Sequence, residues 1–471
     1  MKNTIYIFSL ILLIFSCDRQ EYLDIEPKGR VIPNKINDYR LLLDQTKVFG
    51  GVGGAQVISP GFVSSFYNTE LASDDVMITD NFLSFYPEGS ASTNTFIWKD
   101  NIYTDAEEDG DWQNLYGQIY VTNIVIDDVP NAIDGTVKEK DALKAEALAH
   151  RAYAYFSLVN LYGSHYNPAT ANTDLGVPLR LGTELVGVEY PRATVNDVYT
   201  VILDDLTEAI KHLPNTPELV HRPSKAGVYG LLARVYLYMG DFENARDAAD
   251  NALALSNTLL DFNTFPDWFF PDIANQGDIP QNDPEIIWHK ESGAAYSAAI
   301  ASDDYLSLLE SNDQRRRLFG PPSIFGLSGP EKIFTVGYVR TFKPIGPSTA
   351  EMFLTRAECN VRLNRADLAI NDLNTLREKR MDTGTYEPIT TTDEDEVFAL
   401  VKKERRLELY MKGHRFFDLK RYNVYDSQKT NIIHTYKGET FTLTANSKNW
   451  ALPIAQKYIF QNPEIGENSR E

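Results

Sequence analysis

Lys402–Tyr422, KKERRLELYMKGHRFFDLKRY, is the stretch around which the chain can be read. Leu407, Tyr410 and Met411 fall at i, i+3 and i+4, one face of a helix. Gly413 suits the left-handed position that ends a helix. Phe416, Phe417 and Leu419 form a second apolar cluster beyond it. The stretch therefore predicts two helices joined at a glycine. Its charges are dense: Glu404, Arg405, Arg406, Glu408, His414, Arg415 and Asp418. Glu404 and Glu408, one turn apart, could work with His414 as an acid–base site. The same charges could instead be ion pairs that lock two helices together. Paired or solvated charges are the usual fate of such runs, and the second reading is preferred.

Three further segments repeat the helix-pair pattern. Ser224–Leu255 fits a 34-residue tetratricopeptide-like unit, with Tyr229, Leu232, Ala233, Tyr236, Gly240, Ala245 and Ala252 at its small and large positions. Thr349–Arg380 does so through Phe353, Ala357, Ala369 and Leu373. Lys138–Tyr162, rich in Ala, Leu and Tyr and free of Gly and Pro, predicts a long helix. Thr194, with Asp197 three residues on, predicts the cap of a partner helix over Val195–Leu213. The fold class is thus mostly α: a tetratricopeptide-like scaffold of four irregular pairs at about 138–213, 224–255, 349–380 and 394–422. Long inserted loops and a few short strands, one at Glu285–His289, complete it. Inserted loops are where binding usually resides. Two stand out, at about 71–111 and 261–304. Cys359, within the third pair, reads as a small packing residue.

Ile5–Phe15 is an apolar run too short to span a bilayer, which needs about 20 residues. It fits the core of a signal peptide, residues 1–16, ending before Cys17. Ile14-Phe15-Ser16-Cys17 resembles a bacterial lipobox, which implies diacylglycerol on Cys17 and an outer-membrane lipid anchor. With two cysteines in 471 residues, no disulfide framework is expected. The net charge of −21 argues against nucleic acid and against a basic membrane-docking face.

ERRLELYMKGHRFFDLKRY resembles the late signature of the SusD/RagB family of outer-membrane nutrient-binding lipoproteins. RATVNDVY, RPSKAGVYGLLARVYLYMGD, EMFLTRAEC and LPIAQKYIFQNP follow the family order, so the resemblance covers nearly the whole chain. It implies one SusD-like domain over 17–471 that binds oligosaccharide at the cell surface without catalysis. It also implies delivery to a partner SusC-like TonB-dependent transporter. A peptide ligand, or less readily a secreted glycoside-acting enzyme, is the alternative. An intracellular tetratricopeptide adaptor is disfavoured by the signal peptide.

The resemblance also directs attention to Trp98 and Asn101 in the first insert. An indole face can pack on a pyranose and an amide can bond its hydroxyls. Alternatively, Phe96-Ile97-Trp98 is a short strand in the core. Asp74 and Asp75 either line the same groove or cap a turn. Phe82, Phe85 and Tyr86 are further candidates, although a loop Phe often packs beneath its loop. In the second insert the candidates are Phe265, Trp268, Phe269, Phe270 and Tyr296, of which some belong to the core. Asp105–Tyr116 begins like a calcium loop, with Gly110 at position six, but Tyr116 stands where a bidentate Glu is needed. No cofactor, metal or catalytic motif is predicted.

Overall fold

The computed structural model describes residues 32–44, 46–50, 56–60, 63–64, 67–184, 186–264, 283–292, 300–334 and 344–470. The helices in chain order are α1 (Ile36–Leu43), α2 (Tyr67–Leu71), α3 (Ala91–Phe96), α4 (Gly110–Asp128), α5 (Val137–Tyr162), α6 (Val195–His212) and α7 (Lys225–Met239). They continue with α8 (Phe242–Leu255), α9 (Asp303–Leu308), α10 (Thr349–Arg362), α11 (Ala366–Glu378), α12 (Glu394–Glu408), α13 (Arg415–Tyr425) and α14 (Gln456–Gln461). The four predicted pairs are α5/α6, α7/α8, α10/α11 and α12/α13.

α5 is the hub. Every residue from Ala145 to Tyr162 is buried. A helix buried on all faces belongs in the middle of a bundle, and α5 packs against both α4 and α6. Its start is fixed by a capping box: Thr136 accepts from the Glu139 amide, and Glu139 accepts from the Thr136 amide at 2.7 Å. Its buried charges are matched. Glu146 takes both ends of Arg40 at 2.7 Å, and Arg151 forks Asp205 at 2.8 Å. The predicted Thr194–Asp197 box also forms at the start of α6.

The pairs stack in sequence, α8 against α10 and α10 against α12. The α7/α8 turn needs Gly240, at φ +76°. Between α12 and α13 the backbone is left-handed at Met411 (φ 55°) and at Gly413 (φ 77°). Cys359 is fully buried in α10, and burial pushes its thiol well above the usual range. It packs, as expected.

Short strands occupy the inserts. β1 (Thr46–Gly50) pairs antiparallel with β2 (Gln56–Pro60), and β3 (Val63–Ser64) pairs parallel with β7 (Glu291–Ser292). β4 (Val76–Met77), β8 (Ile300–Ala301), β10 (Ile333–Phe334) and β9 (Phe319–Gly320) form a sheet in that order. β5 (Leu175–Pro178) pairs with β6 (Arg192–Thr194). β11 (Ile432–Tyr436) and β12 (Glu439–Leu443) make a hairpin turned by Lys437 and Gly438, at φ 50° and 79°. The strand expected at Glu285–His289 does not form. That segment is a turn with one bridge, Ile286 to Ser348, because Asp283 and Pro284 initiate a turn there.

Candidate functional site

The charges of the opening stretch are all spoken for. Glu404 meets Arg315 at 2.7 Å and Arg377 at 2.9 Å. Glu408 meets both donors of Arg380 at 2.9 Å and Arg315 at 3.2 Å. Burial alone would raise the Glu408 pKa, but Arg380, Lys412 and Arg315 outweigh it and push it down to about 2. Arg405 pairs with Asp418 at 2.8 Å, and Arg421 with Glu358. Burial, with Arg234 and Arg405 nearby, holds His414 well below the usual histidine range. A carboxylate this acidic and a neutral, buried imidazole that faces Arg405 and Glu351 make a poor acid–base pair. The arrangement is a structural network.

The first insert is fastened to that network. Arg415 forks Asp74 at 2.7 and 2.8 Å, and Arg406 reaches Asp75 and Asp304, each at 2.7 Å. Asp75 is fully buried. Burial raises its pKa, Arg406 opposes this, Asp74 adds to it, and the result is about 6. Asp75 therefore cannot line a groove, and Asp74 spends both oxygens on Arg415.

Trp98 is also placed otherwise than a ligand platform requires. It follows α3 in a left-handed turn, at φ 51°, rather than in a strand. It is 7% exposed, and its Nε1 donates to the Ala72 carbonyl at 3.0 Å. Phe96 and Trp98 stack nearly parallel on His434, with centroids at 4.0 and 4.3 Å. Two such rings cannot share one face, so the imidazole lies between them. Its Nδ1 and Nε2 sit 2.6 and 2.9 Å from the carbonyl oxygens of Phe96 and Ser73. Phe82 and Tyr86 are buried as well, Phe82 under β8 and β10 and Tyr86 beside Tyr410 and Tyr436. Of the first-insert candidates, Phe85 and Asn101 are exposed. Phe265, Trp268, Phe269, Phe270 and Tyr296 lie outside the described residues. Asp109, in the calcium-like stretch, caps α4 by accepting from the Asp111 and Trp112 amides at 3.0 and 3.4 Å.

A cavity that sequence reasoning missed lies beyond the C-terminus of α5. It is a cleft of about 480 Å³, lined by Ser164, His165, Asn167, Thr170, Arg192, Lys420, Asn423, Asn446 and Asn468 among others. Hydroxyls and amides make up nearly half of its wall, with Leu175, Val424 and Trp450 among its apolar members. At its base Lys420 donates to the carbonyls of Asn160 and Gly163, at 2.8 and 2.7 Å. It thereby satisfies acceptors at the end of α5, where a cation is favoured. Arg192 donates to Gly176 O at 2.7 Å, to Asn468 Oδ1 at 2.7 Å and to Tyr162 O at 3.1 Å. Burial lowers both cations, Lys420 to about 7 and Arg192 to about 10. In the sequence both sat in the quoted motifs, but nothing local distinguished them from charges in ion pairs.

Known proteins share this architecture. Residues 21–237 match a SusD-like family described as "Starch-binding associating with outer membrane", and residues 349–470 match the SusD family proper. Curated relatives include two SusD-like proteins of Formosa agariphila. One is 24% identical, covering 76% of this chain and 78% of its own; the other is 22% identical, covering 99% and 98%. A SusD superfamily protein of Bacteroides thetaiotaomicron has a solved structure that superposes with a TM-score of 0.71 at 20% identity, over 93% of this chain and 100% of that one. A "SusD-like carbohydrate binding protein" of Bacteroides vulgatus gives 0.69 at 20% identity, over 93% and 99%. The two family matches between them account for both the α4–α7 region and the α10–α14 region, in the order the motifs require, and the chain belongs to the SusD/RagB family.

Proposed function

We propose that this chain is a non-catalytic surface protein that captures oligosaccharide and passes it to a TonB-dependent outer-membrane transporter. Acylated Cys17 would tether it to the outer membrane. The observation that carries the binding reading is the cleft beyond α5. Its volume of about 480 Å³ falls in the range of small-molecule sites. The hydroxyl and amide side chains of its wall offer both donors and acceptors, as a polyhydroxylated ligand needs. Exposed Phe85 and Asn101 on the first insert are proposed as outer contacts for a longer chain. The non-catalytic reading is supported by the locked state of Glu404, Glu408 and His414. Family membership supports the transporter and the outer membrane. The test is calorimetry of the mature protein against oligosaccharides, with a reducing-sugar assay on the same mixtures. Binding without release of reducing ends is expected; turnover would overturn the proposal.

A further inference from the structure

Buried arginines in this molecule generally meet carboxylates. Arg151 has Asp205, Arg234 has Glu351, Arg315 has Asp313, Arg380 has Glu408 and Arg405 has Asp418, all at 2.7–2.9 Å. Arg192, half-buried, and Lys420, buried, depart from this rule. Their partners are backbone carbonyls and one amide oxygen. Carbonyl dipoles compensate a buried charge only in part, and a buried cation without a counter-charge is costly. Both cations line the same cleft.

A second observation points the same way. His165, also on the wall, is 4% exposed, and neither ring nitrogen makes a hydrogen bond of normal geometry. The Tyr238 carbonyl, which also accepts from the Tyr425 hydroxyl at 3.1 Å, lies near one ring nitrogen, and the other nitrogen has no partner. Buried polar groups are ordinarily paired, so an imidazole with an unpaired nitrogen on the wall of a cleft marks a place for a ligand atom. A third cation, Lys448, stands exposed on the rim, held by Ser469 at 3.2 Å. The lining also holds two carboxylates, Asp174, which accepts from Thr170 at 2.6 Å, and Glu467, which accepts from Gln456 at 2.9 Å; these neutral partners leave the charge in place, and neither carboxylate forms an ion pair with Arg192 or Lys420.

We infer that the saccharide this cleft takes is acidic, carrying a carboxylate or a sulfate ester that supplies the counter-charge missing at Arg192 and Lys420. The anion lies toward Lys420 and His165, with Lys448 at the entrance and the amides on the sugar hydroxyls. A chain of net charge −21 repels anions in general, so the choice is made locally, by Arg192, Lys420 and Lys448 against the Asp174 and Glu467 of the same lining. This inference rests on the proposed saccharide binding and specifies its ligand.

The experiment is a glycan array probed with the mature protein. It carries matched pairs: uronate oligomers with their methyl esters, and sulfated oligomers with their desulfated forms. Hits are followed by calorimetry. Acidic members should bind at least tenfold more tightly than their neutral partners, and the two kinds of pair tell carboxylate from sulfate. Lys448→Glu, an exposed position that leaves folding intact, should remove most of that preference, as should Lys420→Met where it folds. Equal binding of acidic and neutral members overturns the acidic ligand and leaves saccharide binding standing; a preference unchanged in both Lys448→Glu and Lys420→Met overturns the placing of the anion in this cleft. Binding to no member of either kind overturns both.

Discussion

Arg415 grips Asp74 with two hydrogen bonds, Nε to Oδ1 at 2.7 Å and Nη2 to Oδ2 at 2.8 Å, across 341 residues of chain. The fork closes the first insert onto the last helix pair. Removing one partner leaves the other charged and largely out of water. Arg415→Ala should destabilise the protein by about 3 kcal/mol, the scale for breaking a buried ion pair. The double variant with Asp74→Ala should lose less than the sum of the single losses. Urea unfolding of the three variants measures both.

Glu408 should make the protein acid-sensitive. Its folded pKa of about 2 lies below the ordinary 4.5 because Arg380 and its neighbours favour the carboxylate over the desolvation that opposes it. The stabilisation is therefore fully present above pH 4.5 and is lost as pH falls from there toward 2. The urea midpoint should drop over that window. Glu408→Gln should flatten part of the drop while lowering stability at pH 7 by about 3 kcal/mol.

Lys420 adds a dependence of the same sign in a higher pH window. Burial lowers its folded pKa from the ordinary 10.5 to about 7. The unfolded chain holds that proton more tightly, so the Lys420 contribution to stability falls as pH drops from 10.5 through 7. Anion binding needs the charged form. Affinity for an acidic saccharide should therefore weaken roughly tenfold between pH 6 and pH 8, the worth of one charge-assisted hydrogen bond. Calorimetry at the two pH values, with a neutral saccharide as control, reads this directly.

Trp98 and Asn101 should separate cleanly. Trp98→Ala opens a cavity against His434 and frees the Ala72 carbonyl. A loss of about 3–5 kcal/mol is expected in urea unfolding. Asn101→Ala, on the surface, should leave stability within about 0.5 kcal/mol. Any effect of Asn101→Ala in calorimetry is then an effect on ligand.

The two cysteines should behave differently. Metabolic labelling with palmitate should mark the protein and disappear in Cys17→Ala. Cys359, buried and with its thiol pushed up, should react with a thiol reagent only after denaturation.

Helix placement was legible because its signals are local. Thr194–Asp197, Gly240 and Gly413 each act within a few residues of themselves, and α5 was read as Lys138–Tyr162 against an observed Val137–Tyr162. The candidate site was not legible, because burial is decided by distant partners. Trp98 read equally as a platform for sugar or as a core residue; His434, brought in by a C-terminal hairpin, makes it core. Asp74 and Asp75 read as groove carboxylates or turn caps; Arg406 and Arg415, distant in the chain, claim them instead. Lys420 looked like one more charge in a paired run. That its partners are carbonyls is a fact about where α5 ends.

The clasp between the first insert and the end of the chain has a consequence for the order of folding. Arg406 with Asp75, Gly413 with Glu70 and His434 with Ser73 span 331, 343 and 361 residues. Contacts of such separation demand closure of a very long loop before they return any stability, so they form late. A chain made from its N-terminus holds α2, α3 and Trp98 unsettled until α12, α13 and β11 have followed. An N-terminal fragment ending at α8 should therefore show α5–α8 helicity without a fixed environment for Trp98, so that completion of the last helix pair also times the assembly of the insert.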